Sequence, residues 1–121
     1  MLANILIREW NLFKNRLLWS WAGWLNCWRT EPSLHFWFYA NLISSGLALT
    51  LNLAPVERAL ILSLGILILA AELMNTGIEH AVDYISKDDH PLAKQAKDAG
   101  SAAVAMSAVA AGVAWLVILI G

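Results

Sequence analysis

Cysteine, proline and charge are all scarce here: the 121 residues hold one cysteine, three prolines and 14% charged side chains. A single thiol, Cys27, excludes an intrachain disulfide, and with no second cysteine or histidine at ligand spacing beside it a zinc site is excluded too. Cys27 reads as structural. The charged fraction lies well below the ~25% of soluble globular proteins. Net charge is -1 and the basic residues are spread along the chain, so no basic patch exists to hold a polyanion, and nucleic acid is not an expected partner. Neither the Gly-x-x-x-x-Gly-Lys-Ser/Thr loop nor the longer Gly-rich kinase loop occurs, which removes both common nucleotide-binding folds. Few apolar residues precede Arg8 and Glu9, and no small-residue cleavage site follows. No removable signal peptide is expected, and the mature chain is expected to be the whole chain.

What is abundant is apolar surface: 60% of residues are hydrophobic, in long uncharged runs, which makes lipid the expected solvent. One membrane domain, residues 1–121, is expected. From Trp10 the large apolar residues fall at Phe13, Leu17, Trp21, Trp24 and Trp28, spacings of three and four that place them on one helical stripe. Arg8, Asn11, Asn15 and Asn26 take the other side. The pattern predicts an amphipathic helix over 8–29, lying in the membrane interface with its indoles at headgroup level. Trp19 falls half a turn from the stripe. It reads as an interfacial or packed tryptophan, or as a platform on which a nucleotide base stacks.

Thr30-Glu31-Pro32-Ser33 interrupts this helix, because proline restricts its predecessor and removes a donor. Three spans are expected after it. Residues 34–53 give about twenty uncharged positions, enough to cross a ~30 Å core. Pro55 and Glu57 suit the first turn of the next helix. This second span, 56–85, meets no breaker before Asp88 and at ~45 Å outruns the hydrocarbon, so its end must protrude. A loop is expected over 86–92, then a third span over 99–120. The first half of that last span is rich in small residues, which allows close helix approach in lipid. Arg8, Lys14, Arg16, Arg29, Lys87, Lys94 and Lys97 all fall on one side of this arrangement and only Arg58 on the other. That asymmetry puts the amino terminus and the 72–101 region on the cytosolic face.

Charge is concentrated where an apolar chain can least tolerate it. Glu72, Asn75, Glu79 and Asp83, spaced three, four and four, share one face of the second span. Ionisable groups at membrane depth are costly and face a bundle interior or a wet cavity, so such a stripe is a candidate site as well as candidate packing glue. Its members differ in depth. Glu79, one turn from Asn75 and within reach of water, suits Mg²⁺, a hard ion that takes carboxylate oxygens and keeps several waters. Glu72, ~10 Å deeper by helix rise, lies where the hydroxyl of a lipid alcohol would sit and is placed to orient or deprotonate it. Lys97 and Asp98 are expected at the start of the third span beside Gly100-Ser101, where backbone N–H groups and a lysine suit a phosphate, with Asp98 accepting from Lys97 or from a nucleotide hydroxyl. A Lys-Asp pair flanking a membrane helix is also an ordinary interfacial anchor. His35 and His80 lack ligand spacing, and Glu31 reads as a helix cap or as a second acidic ligand brought from another element.

Glu72-Leu-Met-Asn-Thr-Gly-Ile-Glu79-His-Ala-Val-Asp83, His90-Pro-Leu-Ala-Lys94 and Ala96-Lys97-Asp98-Ala-Gly-Ser-Ala-Ala-Val104 resemble the signature of the small bacterial integral-membrane diacylglycerol and undecaprenol kinases. The resemblance covers essentially the whole chain. It implies an all-α homotrimeric bundle of surface helix plus three transmembrane helices, with active sites shared between protomers. The implied activity is transfer of the γ-phosphate of MgATP to a lipid hydroxyl, at the cytosolic side of the bacterial inner membrane. Glu72 matches the family's catalytic base, and Glu31 and Glu79 its metal-binding carboxylates, which also contact ATP. Asn75 and Asp83 match polar residues of the site. Asp88, Asp89 and His90 match the loop beside the nucleotide, Lys97 and Asp98 its phosphate-proximal pair, and Ser101 a lipid-site position. Trp19 falls where the family often has a tyrosine near the adenine. A basic residue that some members carry early in the surface helix falls near Leu12 here, with Lys14 and Arg16 close by.

Gly100-Ser101-Ala-Ala-Val and the Trp-rich segment Ser20-Trp21-Ala-Gly23 look more like the diacylglycerol kinases, whereas Glu79-His80 and His90-Pro-Leu-Ala-Lys also look like the undecaprenol kinases. Diacylglycerol is the favoured substrate. A reading from another class remains: a non-enzymatic small membrane subunit, conducting protons or serving assembly with the same stripe, which would show no Mg²⁺-dependent ATP consumption with any lipid alcohol.

Overall fold

The computed structural model describes residues 1–121 and is helical throughout: α1 (Leu2–Thr30), α2 (Pro32–Thr50), α3 (Pro55–Ile85) and α4 (Pro91–Ile120). No strand occurs. The chain divides into two compact units, Met1–Glu31 and Pro32–Gly121.

The first unit is α1. Its stripe aromatics pair along the helix, Trp10 with Phe13 at 5.8 Å between ring centroids and Trp24 with Trp28 at 6.1 Å, both stacked. These are the i,i+3 and i,i+4 neighbours that a 3.6-residue period brings together. The Lys14 ammonium lies 5.9 Å from the Trp10 ring. The helix extends beyond the expected 8–29 at its amino end, since Leu2–Ile7 contains neither glycine nor proline to stop it. Glu31 ends it, in extended backbone with its N–H on the Cys27 carbonyl at 2.8 Å.

In the second unit α3 is the middle helix, packed against α2 on one flank and α4 on the other. Its buried residues Ile61, Gly65, Ile68, Glu72, Asn75 and Thr76 recur at helical spacing and form one stripe. Toward the α2–α3 turn the core is Ala48, Ile61 and Ala114, with Leu62, Leu64 and Trp115 around them. Small residues let the backbones close up. A Cβ on Gly65 would collide with the Asn41 carboxamide. The Trp115 indole N–H reaches across to Ser44 Oγ at 2.8 Å, tying α4 to α2.

The turn between α2 and α3 is closed by Arg58. Its Nε donates to the Ala48 carbonyl at 2.8 Å and its guanidinium to the Leu51 and Leu53 carbonyls at 3.4 Å. The Ala48 carbonyl is one that the end of α2 leaves without a helical donor, and the Leu51 and Leu53 carbonyls belong to the turn itself. On the other side of the turn the Glu57 carboxylate accepts from the Ala54 N–H at 2.8 Å, and Pro55 opens α3 as expected.

The sequence expectations need three adjustments. The helix expected at 34–53 is Pro32–Thr50; proline is already acceptable in a first helical turn, and Leu51–Ala54 are taken up by the turn. The 86–92 loop is shorter, because Pro91 starts α4 and the helix includes the polar run to Asp98. The third span is therefore not a helix beginning at Ala99. The second span, expected at 56–85, is α3 almost to the residue. By length and composition α3 and α4 can cross a membrane. The shorter α2, uncharged but carrying Ser33, His35, Asn41, Ser44 and Ser45, falls outside that pair.

Candidate functional site

Two antiparallel registers build the site. Counted outward from the α2–α3 turn, Ser33 lies seventeen residues before Thr50 and Glu72 seventeen after Pro55, so the two stand at the same height on facing helices. Ser33 Oγ donates to Glu72 Oε1. Glu72 is only 3% exposed, an almost wholly buried carboxylate. Counted from the α3–α4 loop, Asn75 lies ten residues before Ile85 and Gly100 nine after Pro91. They meet: a Cβ on Gly100 would run into Asn75 Oδ1.

Asn75 also donates from Nδ2 to Glu79 Oε1 at 3.3 Å, the one-turn partnership expected of the stripe. Its Oδ1 is buried with no hydrogen-bond partner. One turn on, Asp83 Oδ1 accepts from Lys97 Nζ at 2.7 Å, joining the end of α3 to α4. The ~30 Å core requires only about twenty residues of α3, so this pair stands beyond the spanning part. The hydrogen bond from Lys97 holds the Asp83 carboxyl below its ordinary range, and the same bond raises the Lys97 ammonium.

Beside the pair opens a cleft of about 610 Å³, lined by residues from Val82 to Asp98, including Asp88, Asp89 and His90. Three lysines border it. Lys97 is bound to Asp83 and Lys94 to Asp98 at 2.5 Å, while Lys87 has no ion-pair partner. His90 has a structural task, since its Nδ1 accepts from the Leu92 N–H at 3.1 Å and caps α4 ahead of Pro91.

Two details depart from expectation. Lys97 bonds to Asp83 and not to Asp98, because consecutive residues on a helix do not face each other, whereas Lys94 and Asp98, four apart, do. Gly100 and Ser101 lie in the third turn of α4, where their N–H groups are already spent on helical bonds, so they offer no phosphate cradle. Ser101 is exposed on α4. Trp19, 66% exposed, and Glu31 belong to the amino-terminal unit, whereas the other candidate residues belong to the second. Ser33 was not singled out from the sequence; the matched count from the turn is the signal that finds it.

No three His, Cys, Asp or Glu side chains converge on one point. Mg²⁺ does not need that, since it commonly takes one or two carboxylates and completes its shell with water and substrate phosphates. The unsatisfied Asn75 oxygen and the adjoining Glu79 carboxylate are hard oxygen donors of the required kind. The donor set fits the ion.

The sequence profile described as prokaryotic diacylglycerol kinase matches residues 18–119. A diacylglycerol kinase of Pseudomonas aeruginosa is 38% identical over 102 residues, covering 84% of this chain and 83% of that protein. The diacylglycerol kinase of Escherichia coli K12 is 33% identical, covering 83% of this chain and 82% of its own. An undecaprenol kinase of Bacillus subtilis is 37% identical over 92 residues, covering 76% and 75%.

Proposed function

The chain belongs to the prokaryotic diacylglycerol kinase family, and on that premise we propose that it transfers the γ-phosphate of MgATP to the hydroxyl of diacylglycerol, giving phosphatidic acid. The observation that carries this reading is the graded face of α3: a buried Glu72, then Asn75 bonded to Glu79, then Asp83 bonded to Lys97 at the lip of a lysine-bordered cleft. A lipid alcohol and a nucleotide approach a membrane surface from opposite sides. A site that joins them must run from apolar depth to water, as this face does.

Glu72 is the base in this reading. It takes the proton of the lipid hydroxyl as that oxygen attacks the γ-phosphorus, the bond to the β-phosphate oxygen breaks, and ADP leaves. Glu79 and Glu31 would hold Mg²⁺, which when bound neutralises charge on the nucleotide phosphates. Lys97, oriented by Asp83, faces the phosphates with Asp98 nearby. Asp88, Asp89 and His90 border the nucleotide, Trp19 stacks on its base, and Ser101 contacts lipid. The ~10 Å of helix rise between Glu72 and Glu79 leaves room for the hydroxyl oxygen and the transferred phosphoryl group. We further infer three spans per protomer, a single domain over 1–121, a homotrimer with shared sites, and a place in the bacterial inner membrane with the cleft facing the cytosol. The uncharged length of α2 and the one-sided distribution of basic residues support the topology.

The relative named undecaprenol kinase keeps a second acceptor in view. Phosphoryl transfer to diacylglycerol and to undecaprenol, compared in mixed micelles at matched mole fraction, separates the two. Diacylglycerol is expected to be the better acceptor by kcat/KM. A preference for undecaprenol would reassign the substrate, and Mg²⁺-dependent transfer to neither would leave a non-enzymatic membrane subunit.

A further inference from the structure

We infer that Ser33 is the positioning residue of the proposed base: its hydroxyl holds one oxygen of the Glu72 carboxylate, so that the other is presented to the acceptor alcohol. The inference rests on the reading of Glu72 as that base. It starts from a restriction on the carboxylate itself. A glutamate has three side-chain torsions, and a base that must meet a hydroxyl within hydrogen-bond reach gains from having them fixed beforehand. Within the second unit the α3 residues one turn either side of Glu72, Ile68 and Thr76, are buried like it, and Leu34 on α2 is fully enclosed. Packing therefore confines the stem of the side chain. It does not choose between the two oxygens.

Ser33 makes that choice, because Oγ donates to Oε1. Serine suits the position. Its single short torsion places the hydroxyl from the first turn of α2, where the following Leu34 is locked into the helix contact. The matched seventeen-residue counts from the α2–α3 turn then fix its height against Glu72. Oε1 spends acceptor capacity on Ser33, and Oε2 keeps its lone pairs for the proton that leaves the lipid hydroxyl. The two oxygens of one carboxylate thus carry different duties, orientation and proton acceptance, with α2 supplying the first.

The test compares S33A, S33T and E72Q in mixed micelles with diacylglycerol, each variant first shown to be helical and to bind Mg·ATP. S33A is expected to lower kcat about tenfold to a hundredfold, the scale of a misoriented catalytic group, with the KM values for lipid and ATP within about twofold of wild type. S33T keeps a hydroxyl on the same carbon and is expected to restore most of kcat. Wild-type kcat in S33A alongside an inactive E72Q overturns the positioning role and leaves Glu72 as the base. A loss in S33A that S33T does not repair, or one confined to KM, overturns it as well, since packing or lipid contact then accounts for the effect. Full activity in E72Q removes the base itself, a different failure from either of these.

Discussion

Glu79 is the residue whose environment most constrains its task. It is half-buried on α3, with one carboxylate oxygen held by Asn75 Nδ2. If it ligates Mg²⁺, Glu79→Gln removes the negative charge while preserving shape, and the Mg²⁺ concentration for half-maximal activity should rise at least tenfold, or activity should vanish. An unchanged Mg²⁺ titration would refute the assignment. The Asp83–Lys97 pair gives a second prediction, and its sign follows from the two shifts. Asp83 is depressed below 3.8, so its share of the pair is present above that pH and is lost as pH falls through the depressed value. Lys97 is raised above 10.5, so its share is present below that pH and is lost as pH rises through the raised value. The pair should therefore remain intact from about pH 4 to about pH 10. The ¹⁵N shift of Lys97 Nζ should be flat between about pH 5 and 9, and a titration inside that window would contradict the pairing. This partner was half legible in the sequence. The sequence already put Lys97 on the same membrane face as Asp83, but setting Asp98 aside needed the start of α4 at Pro91, which makes Lys97 and Asp98 consecutive residues of one helix.

Between helices the decisive features are close approaches. Gly100 lies where α4 meets Asn75, and a methyl there would displace the carboxamide that holds Glu79. Gly100→Ala should cost about 1–3 kcal/mol by overpacking. It should also raise the Mg²⁺ concentration for half-maximal activity, the same direction as Glu79→Gln. Thermal unfolding in detergent and the Mg²⁺ titration check the two effects, and a fully active, equally stable alanine variant would show that the contact is not needed. The sequence made these elements legible to different degrees. Both limits of α3 were readable, since Pro55 and Glu57 start it and the Ser86–His90 run stops it. The start of α4 was not, because a hydrophobic pattern cannot see Leu92–Asp98, which is held helical by Ala, Lys and Gln with His90 and Pro91 as the start signal. That missed boundary is why Gly100 and Ser101 seemed to stand at a helix terminus. The Ser33–Glu72 bond was hidden for a similar reason, since it depends on the length of the α2–α3 turn and not on any local pattern.

On the scale of the whole molecule the chain sorts its charges by height. Arg58 is the one basic residue at the α2–α3 turn, where it caps carbonyls beside Glu57, while Lys87, Lys94, Lys97 and the aspartates gather around the α3–α4 loop. A cysteine placed at Asp89 should react with impermeant maleimide in inverted vesicles and not in intact cells; the opposite pattern would invert the orientation. The account's central claim is that the buried carboxylate of α3 activates a lipid hydroxyl for phosphoryl transfer. The most direct test is transfer of labelled γ-phosphate from ATP to diacylglycerol in mixed micelles by the wild-type chain and by Glu72→Gln, with Mg·ATP binding measured on both. The account predicts Mg²⁺-dependent phosphatidic acid from the wild type, and loss of at least a hundredfold in kcat with nucleotide affinity within about threefold in the variant. Wild-type turnover by Glu72→Gln would contradict it.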